Sequence, residues 1–333
     1  MGSSVCIMVI GSANTDMVVK VPSIPAPGET LLGQDFAMVA GGKGANQAVA
    51  AARLGARVRF VGCVGDDLFG SRTRQVLEAE GINLDGLSVD STRHSGVALI
   101  AVDASGQNAI AVAPGANMAV LPEHVDRAFS DSAGVGCVVL QCEIPIGTVA
   151  HAIHVAHAQG IPVMLNPAPA TALPNGLLQG VICVTPNETE ATALTGIEVN
   201  DHRTAQAAAK RLIKQGALSV VVTLGHRGAV AATPDGTAVI EPLSVDAVDA
   251  TAAGDCFTAA LAVALLRPGP RAANAPVALA ELVDACRFAS AAAALSVMRL
   301  GAQPSLPTVR ELEKFIKARS DKGRTGRAHG KSR

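Results

Sequence analysis

The stretch GGKGANQAVAAARLGARVRFV, residues 41–61, sets the pattern that the rest of the chain repeats. Two glycines lead into an Ala-rich helical run, Ala45–Leu54, which Gly55 stops, and Val58–Val61 follows as a short apolar strand. The alternation extends in both directions. Val5–Ile10, Val138–Gln141, Pro162–Leu165, Ile182–Thr185 and Val220–Thr223 read as further apolar strands. Leu68–Glu80, Ile146–Gln159, Glu188–Thr195 and Arg203–Gln215 read as helices, several ending near a glycine. Strands alternating with helices predict an α/β fold, a mostly parallel sheet with helices on its faces.

Two regions break the alternation. Met17–Val21 with Leu31–Val39, and Val97–Val102 with Ala109–Ala113, read as strand pairs without helices between them, closed by Pro22–Gly28 and Asp103–Gly106. They predict a small second sheet standing outside the main one as a lid, from about 15–40 and 94–113. The C-terminal portion reads as helices, Asp255–Leu266, Pro276–Met298 and Thr308–Lys317, with Arg267–Pro276 as an exposed connection. One domain over 1–316 and a basic, disordered tail over 317–333 are expected.

Composition narrows the class. Hydrophobic residues make up 49% of the 333 and charged residues 17%, enough for a large core and too apolar for a disordered chain. The apolar surplus is Ala and Val; seven Phe are the aromatics. No run approaches the roughly 20 apolar residues of a bilayer span, and MGSSVCIMVIG lacks the basic start of a signal peptide, so no membrane and a cytoplasmic location are expected. Seven cysteines without CxxC spacing suit a reducing compartment. Net charge is −1, but Lys317–Arg333 holds seven Lys/Arg against one Asp, leaving −7 on the remainder, so no basic groove for nucleic acid is expected there.

Five segments carry chemistry. DATAAGDCF at 249–257 precedes an apolar helix, so Ala252, Ala253 and Gly254 offer backbone N–H groups at a helix N-terminus, a ready anion site. Asp255 sits where a phosphoryl group would arrive and could take a proton from an attacking hydroxyl; an ordinary helix-capping Asp is the equal alternative. In GGKGANQ the glycines allow close backbone approach, while Lys43 and Asn46 suit sugar hydroxyls; GxxxxGK[ST] is absent. In GSANTD at 11–16, Asn14 and Asp16 share one face of an extended segment and could grip a diol, or form an Asx turn. The dinucleotide fingerprint GxGxxG is missing there. TPNETEATAL at 185–194 places Asn187 and Glu190 three apart at a helix start, either as a capping box or near Mg²⁺ and phosphate. TLGHRG at 223–228 fits a nucleotide-contacting turn or a plain hairpin turn. His151, His154 and His157 recur at helical spacing without an accompanying acid or thiol in the helix and read as a solvated face.

Together these segments, with NPAPA at 166–170 and GAQPS at 301–305, resemble the ribokinase (PfkB) family of carbohydrate kinases from about Val5 to Ser305, with the motifs in family order. The resemblance implies a ribokinase-like three-layer α/β/α sandwich with a β-sheet lid, and ATP-dependent phosphorylation of D-ribose at O5. A related pentose such as deoxyribose, or a non-catalytic sugar-binding module, are the alternatives. It implies that Asn14, Asp16, Gly42, Lys43, Asn46 and Glu143 hold the sugar, that Asp255 is the base, and that the amides of Ala252, Ala253 and Gly254 form the anion hole. Asn187, Thr223, Leu224, Gly225, His226, Gly228 and Ser290, with Gly254, would line the ATP site, with Glu190 near Mg²⁺. A K⁺ ion would be held by Asp249, Thr251, Ser296, Arg299, Gly301 and Ser305, several through carbonyls. A homodimer through the lid sheets is also implied. Four positions depart from the family pattern: Ala250, Thr258, Ala259 and Ser290.

Overall fold

The computed structural model describes residues 6–269 and 271–328. Among them, nine strands form one sheet: β1 (Cys6–Ile10), β4 (Arg57–Gly65), β5 (Asn83–Asp90), β8 (Val135–Leu140), β9 (Val163–Leu165), β10 (Cys183–Val184), β11 (Val220–Thr223), β12 (Ala229–Thr233) and β13 (Gly236–Ile240). Their order is β13-β12-β11-β10-β9-β8-β1-β4-β5. The pairs from β5 to β11 are parallel; only β12 and β13 run antiparallel at one edge. The expected mostly parallel sheet is what forms.

Period-two strand geometry divides the core between the two faces of this sheet. Ile7 and Val9 of β1, with Val139 of β8 and Val221 of β11, pack against α1 (Lys43–Arg53), α7 (Ala253–Leu266), α8 (Leu279–Ser296) and α9 (Val309–Ala328). Met8, Ile10, Leu140 and Val222 face the opposite way, onto α3 (Pro122–Phe129), α4 (Ile146–Ala158), α5 (Glu188–Thr195) and α6 (His202–Lys214). Alanine dominates the facing surfaces of α1 and α7, so these two helices approach closely, and α7 packs in turn on α8. That closeness brings residues of α1 within hydrogen-bonding reach of α7.

The second sheet has the order β3-β2-β6-β7, from β2 (Asn14–Lys20), β3 (Asp35–Gly41), β6 (Gly96–Val102) and β7 (Asn108–Ala113). β2 pairs antiparallel with β3 and parallel with β6, and β6 pairs antiparallel with β7. Only Gly11–Ala13 separates β1 from β2, so the chain steps directly from the main sheet into the lid.

The differences from expectation are at edges. β5 closes one side and carries no continuous apolar run, because an edge strand buries only part of its surface. The β12–β13 hairpin covers the other side, and α3 is only eight residues long. α2 (Leu68–Ala79) lies as expected, and α8 begins at Leu279 rather than Pro276. α9 continues past Lys317 to Ala328, through part of the stretch expected to be disordered; 329–333 lie outside the described residues. Among the described residues no helix is long and apolar enough to cross a membrane.

Candidate active site

α1 starts abruptly after Gly42, whose φ of 86° suits glycine alone and whose hypothetical Cβ would stand 2.6 Å from the Asn14 amide nitrogen. The turn therefore presses the beginning of α1 against the end of the β1–β2 connection. Lys43 N donates to Glu143 Oε2 at 3.1 Å, and Ser12 Oγ donates to the same oxygen at 2.5 Å. Glu143, expected to hold sugar, thus also fastens the helix start, consistent with an acid at a helix N-terminus. Asn14 is buried and its Oδ1 accepts from Asn117 Nδ2 at 2.7 Å, which leaves the Asn14 amide hydrogens free of that bond.

One turn along α1, Asn46 and Gln47 are both buried and both reach Asp255 in the first turn of α7. Asn46 Nδ2 donates to Asp255 Oδ2 at 3.0 Å, and Gln47 Nε2 to Oδ1 at 3.0 Å. Asp255 is itself 6% exposed. It does not serve as the cap of α7. That position is Ala252, which has no side-chain cap and holds a left-handed φ of 59°, the one positive φ of a non-glycine among the described residues. A side chain in that conformation costs about 1 kcal/mol and orients the amides that follow. The Ala253 amide already donates to Ala250 O at 3.2 Å.

Burial and charge act together here. Asp16, half-buried near Glu143 and Asp255, is raised to about 6 by desolvation first and by those two carboxylates second. Burial alone would lower the Lys43 ammonium, but Asp255, Glu143 and Glu190 hold it above its usual value. Cys142 is half-buried, and burial with Glu190 and Glu143 pushes its thiol to about 12.

A cavity of about 200 Å³ opens beside Lys43 and Asp255, lined also by Asn166, Asn187, Glu190 and Thr223, with Ala252, Ala253 and Gly254 at the foot of α7; Asn14, Asp16, Gly42, Asn46 and Glu143 do not line it. Asn187 and Glu190 form a reciprocal capping box: Glu190 N donates to Asn187 Oδ1 at 2.8 Å, and Asn187 N to Glu190 Oε2 at 2.9 Å. The local alternative is therefore present, and Glu190 still lines the cavity. The 3₁₀ turn Gly225–Arg227 follows Thr223 with Gly225 and His226 exposed. The Leu224 side chain is spent in the core at 1% exposure, and Leu224 N is bonded to Gly228 O. Ser290 is half-buried within α8 and does not line the cavity.

Behind the foot of α7, Val248 N and Asp249 N both donate to Val297 O. Asp249 Oδ1 accepts from Thr251 N and Oγ1, and Oδ2 accepts from Gly301 N at 2.8 Å. Burial opposes these bonds, but they hold the Asp249 carboxylate below its usual range. The segments carrying Thr251, Ser296, Gly301 and Ser305 are thereby joined. The Ser296 and Ser305 hydroxyls donate to Ala293 O and Ala302 O. The Arg299 side chain turns away to Glu311 at 2.6 Å. The helical histidines form no metal centre: His151 meets Asp126 at 2.6 Å, and among the described residues no cluster of three or more His, Cys, Asp or Glu side chains is placed to hold a metal ion.

Sequence reasoning missed Ser12, Gln47, Asn117, Gln141, Asn166 and Thr185, which connect the named residues. Ser12, Gln47, Asn166 and Thr185 lie inside the quoted motifs, and that adjacency was the available signal.

The pfkB family carbohydrate kinase model matches residues 6–309. The chain is 40% identical to a ribokinase of Haemophilus influenzae over 308 residues, 92% of this chain and 97% of that protein. It is 37% identical to a deoxyribokinase of Salmonella typhi over 314 residues, 93% and 98% respectively. The structure of an Arabidopsis thaliana ribokinase complexed with ribose and ATP superposes with a TM-score of 0.82 at 32% identity, covering 94% of this chain and 99% of that one.

Proposed function

From the premise that this chain belongs to the pfkB family of carbohydrate kinases, we propose that it is a ribokinase, transferring the γ-phosphoryl group of ATP to O5 of D-ribose. The observation that carries this reading is a carboxylate, Asp255, held by two amides at the foot of α7 and facing a cavity with Lys43.

Phosphoryl transfer asks a protein mainly for positioning and charge stabilisation. The sugar sits among Asn14, Asp16, Gly42, Lys43, Asn46 and Glu143. Asn46 Oδ1 is a buried acceptor without a protein partner among the described residues, suited to a sugar hydroxyl. Asp255 accepts the O5 proton as O5 attacks the γ-phosphorus and ADP leaves. Charge developing on the transferred group meets the N-terminal amides of α7, whose direction Ala252 fixes. Asn187, Thr223, Gly225 and His226 edge the nucleotide side.

The groups present suit the two cations such chemistry uses. Glu190 is a buried carboxylate, raised by desolvation before its other interactions, and it faces the cavity; with ATP oxygens it would hold Mg²⁺. When bound, that ion neutralises β- and γ-phosphate charge. Asp249, with hydroxyls and carbonyls from 249–251 and 296–305, is an oxygen-only set suited to K⁺ behind the anion hole. Period two puts Met17 and Val19 on the face of β2 opposite Asn14 and Asp16. There they join Phe36, Leu99 and Ala111 around an apolar hollow, and two copies of the chain pair through it. The free cysteines suit a reducing cytoplasm.

ADP release from ATP across ribose, deoxyribose and other pentoses, ranked by kcat/KM, tests the reading. Asp255→Asn abolishes turnover while ribose binding persists; turnover retained by that variant overturns the assignment. A preference for deoxyribose would move the chain toward its deoxyribokinase relative. No ADP release with any sugar would leave a binding module.

A further inference from the structure

The mechanism uses the carboxylate of Asp255 and leaves unused the group that holds one of its oxygens. Gln47 is 1% exposed and Gln141 0%. The two hydrogens on Gln47 Nε2 go to Asp255 Oδ1 at 3.0 Å and to Asn166 Oδ1 at 3.1 Å. Gln47 Oε1 accepts from Gln141 Nε2 at 2.5 Å. Three of the four hydrogen-bonding positions of this carboxamide are therefore filled, each by a different element. Gln141 settles which way the amide faces: with its N–H on Oε1, only Nε2 can meet Asp255. Gln141 is boxed in by Gly11, where a Cβ would stand 1.9 Å from Gln141 Oε1. Asn166 is anchored by Nδ2 donating to Thr185 O at 2.9 Å.

We infer that Gln47 is the positioning residue of the base: a hub, oriented by Gln141 and Asn166, that fixes the rotation of the Asp255 carboxyl toward the sugar hydroxyl. This deepens the ribokinase reading and rests on Asp255 being the base. Asn46 alone holds Oδ2 and leaves the carboxyl plane free to turn about that bond. A second donor on Oδ1 removes that freedom, and the consecutive positions 46 and 47 on α1 supply both. Near-attack geometry at the acceptor is the quantity so controlled.

Gln47→Met keeps length and volume and removes both donors; Gln141→Met removes the group that orients Gln47 and touches neither Asp255 nor sugar. Both variants and the double variant would be assayed for kcat and ribose KM, with ribose-binding stoichiometry by calorimetry to count folded sites. The expected result is a kcat about 10- to 100-fold lower for Gln47→Met and a smaller loss for Gln141→Met, each per folded site. Ribose KM should stay within about threefold, and the double variant should be no slower than Gln47→Met. Should Gln47→Met fail to fold, Gln141→Met carries the test by the same split. A kcat per folded site within twofold of the parent, a KM rising in step with the loss of kcat, or additive losses in the double variant overturns the inference. Asp255→Asn run alongside separates the two claims. If that variant turns over, the base assignment fails. If it is dead while Gln47→Met is unimpaired, only the hub fails.

Discussion

Gly41 stands so close to Asp16 that a Cβ placed on it would lie 2.2 Å from Asp16 Oδ2. The two residues sit on paired strands of the lid, and the missing side chain is the space the carboxylate occupies. Gly41→Ala must therefore move Asp16 before it can be accommodated. Ribose KM is expected to rise at least about tenfold, a loss of about 1.4 kcal/mol, with kcat at saturating sugar much less affected. Steady-state kinetics over a wide ribose range check it.

The raised Asp16 value sets a pH dependence. Its folded value is about 6 against an ordinary 3.8, so its contribution to stability is complete below the ordinary value and is lost as pH rises through about 6. At neutral pH the ionised group costs stability on the order of 3 kcal/mol, and on the proposed site it is the ionised form that would accept two sugar hydroxyls. Two outcomes follow together: ribose KM climbs as pH drops below about 6, and Asp16→Asn raises Tm at pH 7.5 by a few degrees while weakening ribose binding about 100-fold. Thermal melts and ribose titrations across pH 5–8 measure both.

Ala252 holds a backbone conformation that glycine adopts without penalty and a β-branched residue resists. Ala252→Gly should leave kcat within about threefold of the parent with Tm unchanged or slightly raised. Ala252→Val should lower Tm and reduce kcat about 100-fold, because the amides at the foot of α7 lose their direction. Melting curves beside ADP-release rates distinguish the pair.

Asp249 accepts from Thr251 and Gly301 at once, joining the two segments proposed to surround K⁺. Replacing it by Ala should remove most of the response of kcat to KCl and lower the K⁺-saturated rate about tenfold or more. A KCl titration of parent and variant, at constant ionic strength, reads the difference.

Leu99 is 56% exposed and faces the apolar hollow of the lid beside Met17. Leu99→Asp places a charge there and should convert the proposed dimer to a monomer at micromolar concentration, as judged by light scattering. The isolated chain should retain its fold, since the Leu99 side chain is already turned toward solvent.

Much of this arrangement was legible before any coordinates. The apolar strands and the Ala-rich helices carry period and composition together, so the parallel sheet followed from them. Asn14, Asp16, Lys43, Asn46 and Asp255 stand in short motifs whose residue types suit a sugar and a phosphate. What escaped were polar groups whose meaning is set by a distant partner. Gln141 ends an apolar strand and looks like its boundary, and Gln47 looks like any helix residue. The bond from Gln47 to Asp255 spans 208 positions of sequence, and no local periodicity encodes it. β5 and the β12–β13 hairpin escaped for a different reason: sheet edges bury too little to leave an apolar signature.

The crowding of acids around Lys43 has one more consequence. Asp16, Glu143, Asp255 and Glu190 all face a region with a single ammonium close by. A neutral sugar enters that region without an electrostatic penalty. A sugar phosphate brings two negative charges toward four carboxylates, and away from the amides at the foot of α7 those like charges repel. On the proposed site, the acids that would grip the acceptor would also disfavour its phosphorylated form, and the pocket would work as a turnstile: easier for the neutral sugar to enter than for the charged product to re-enter.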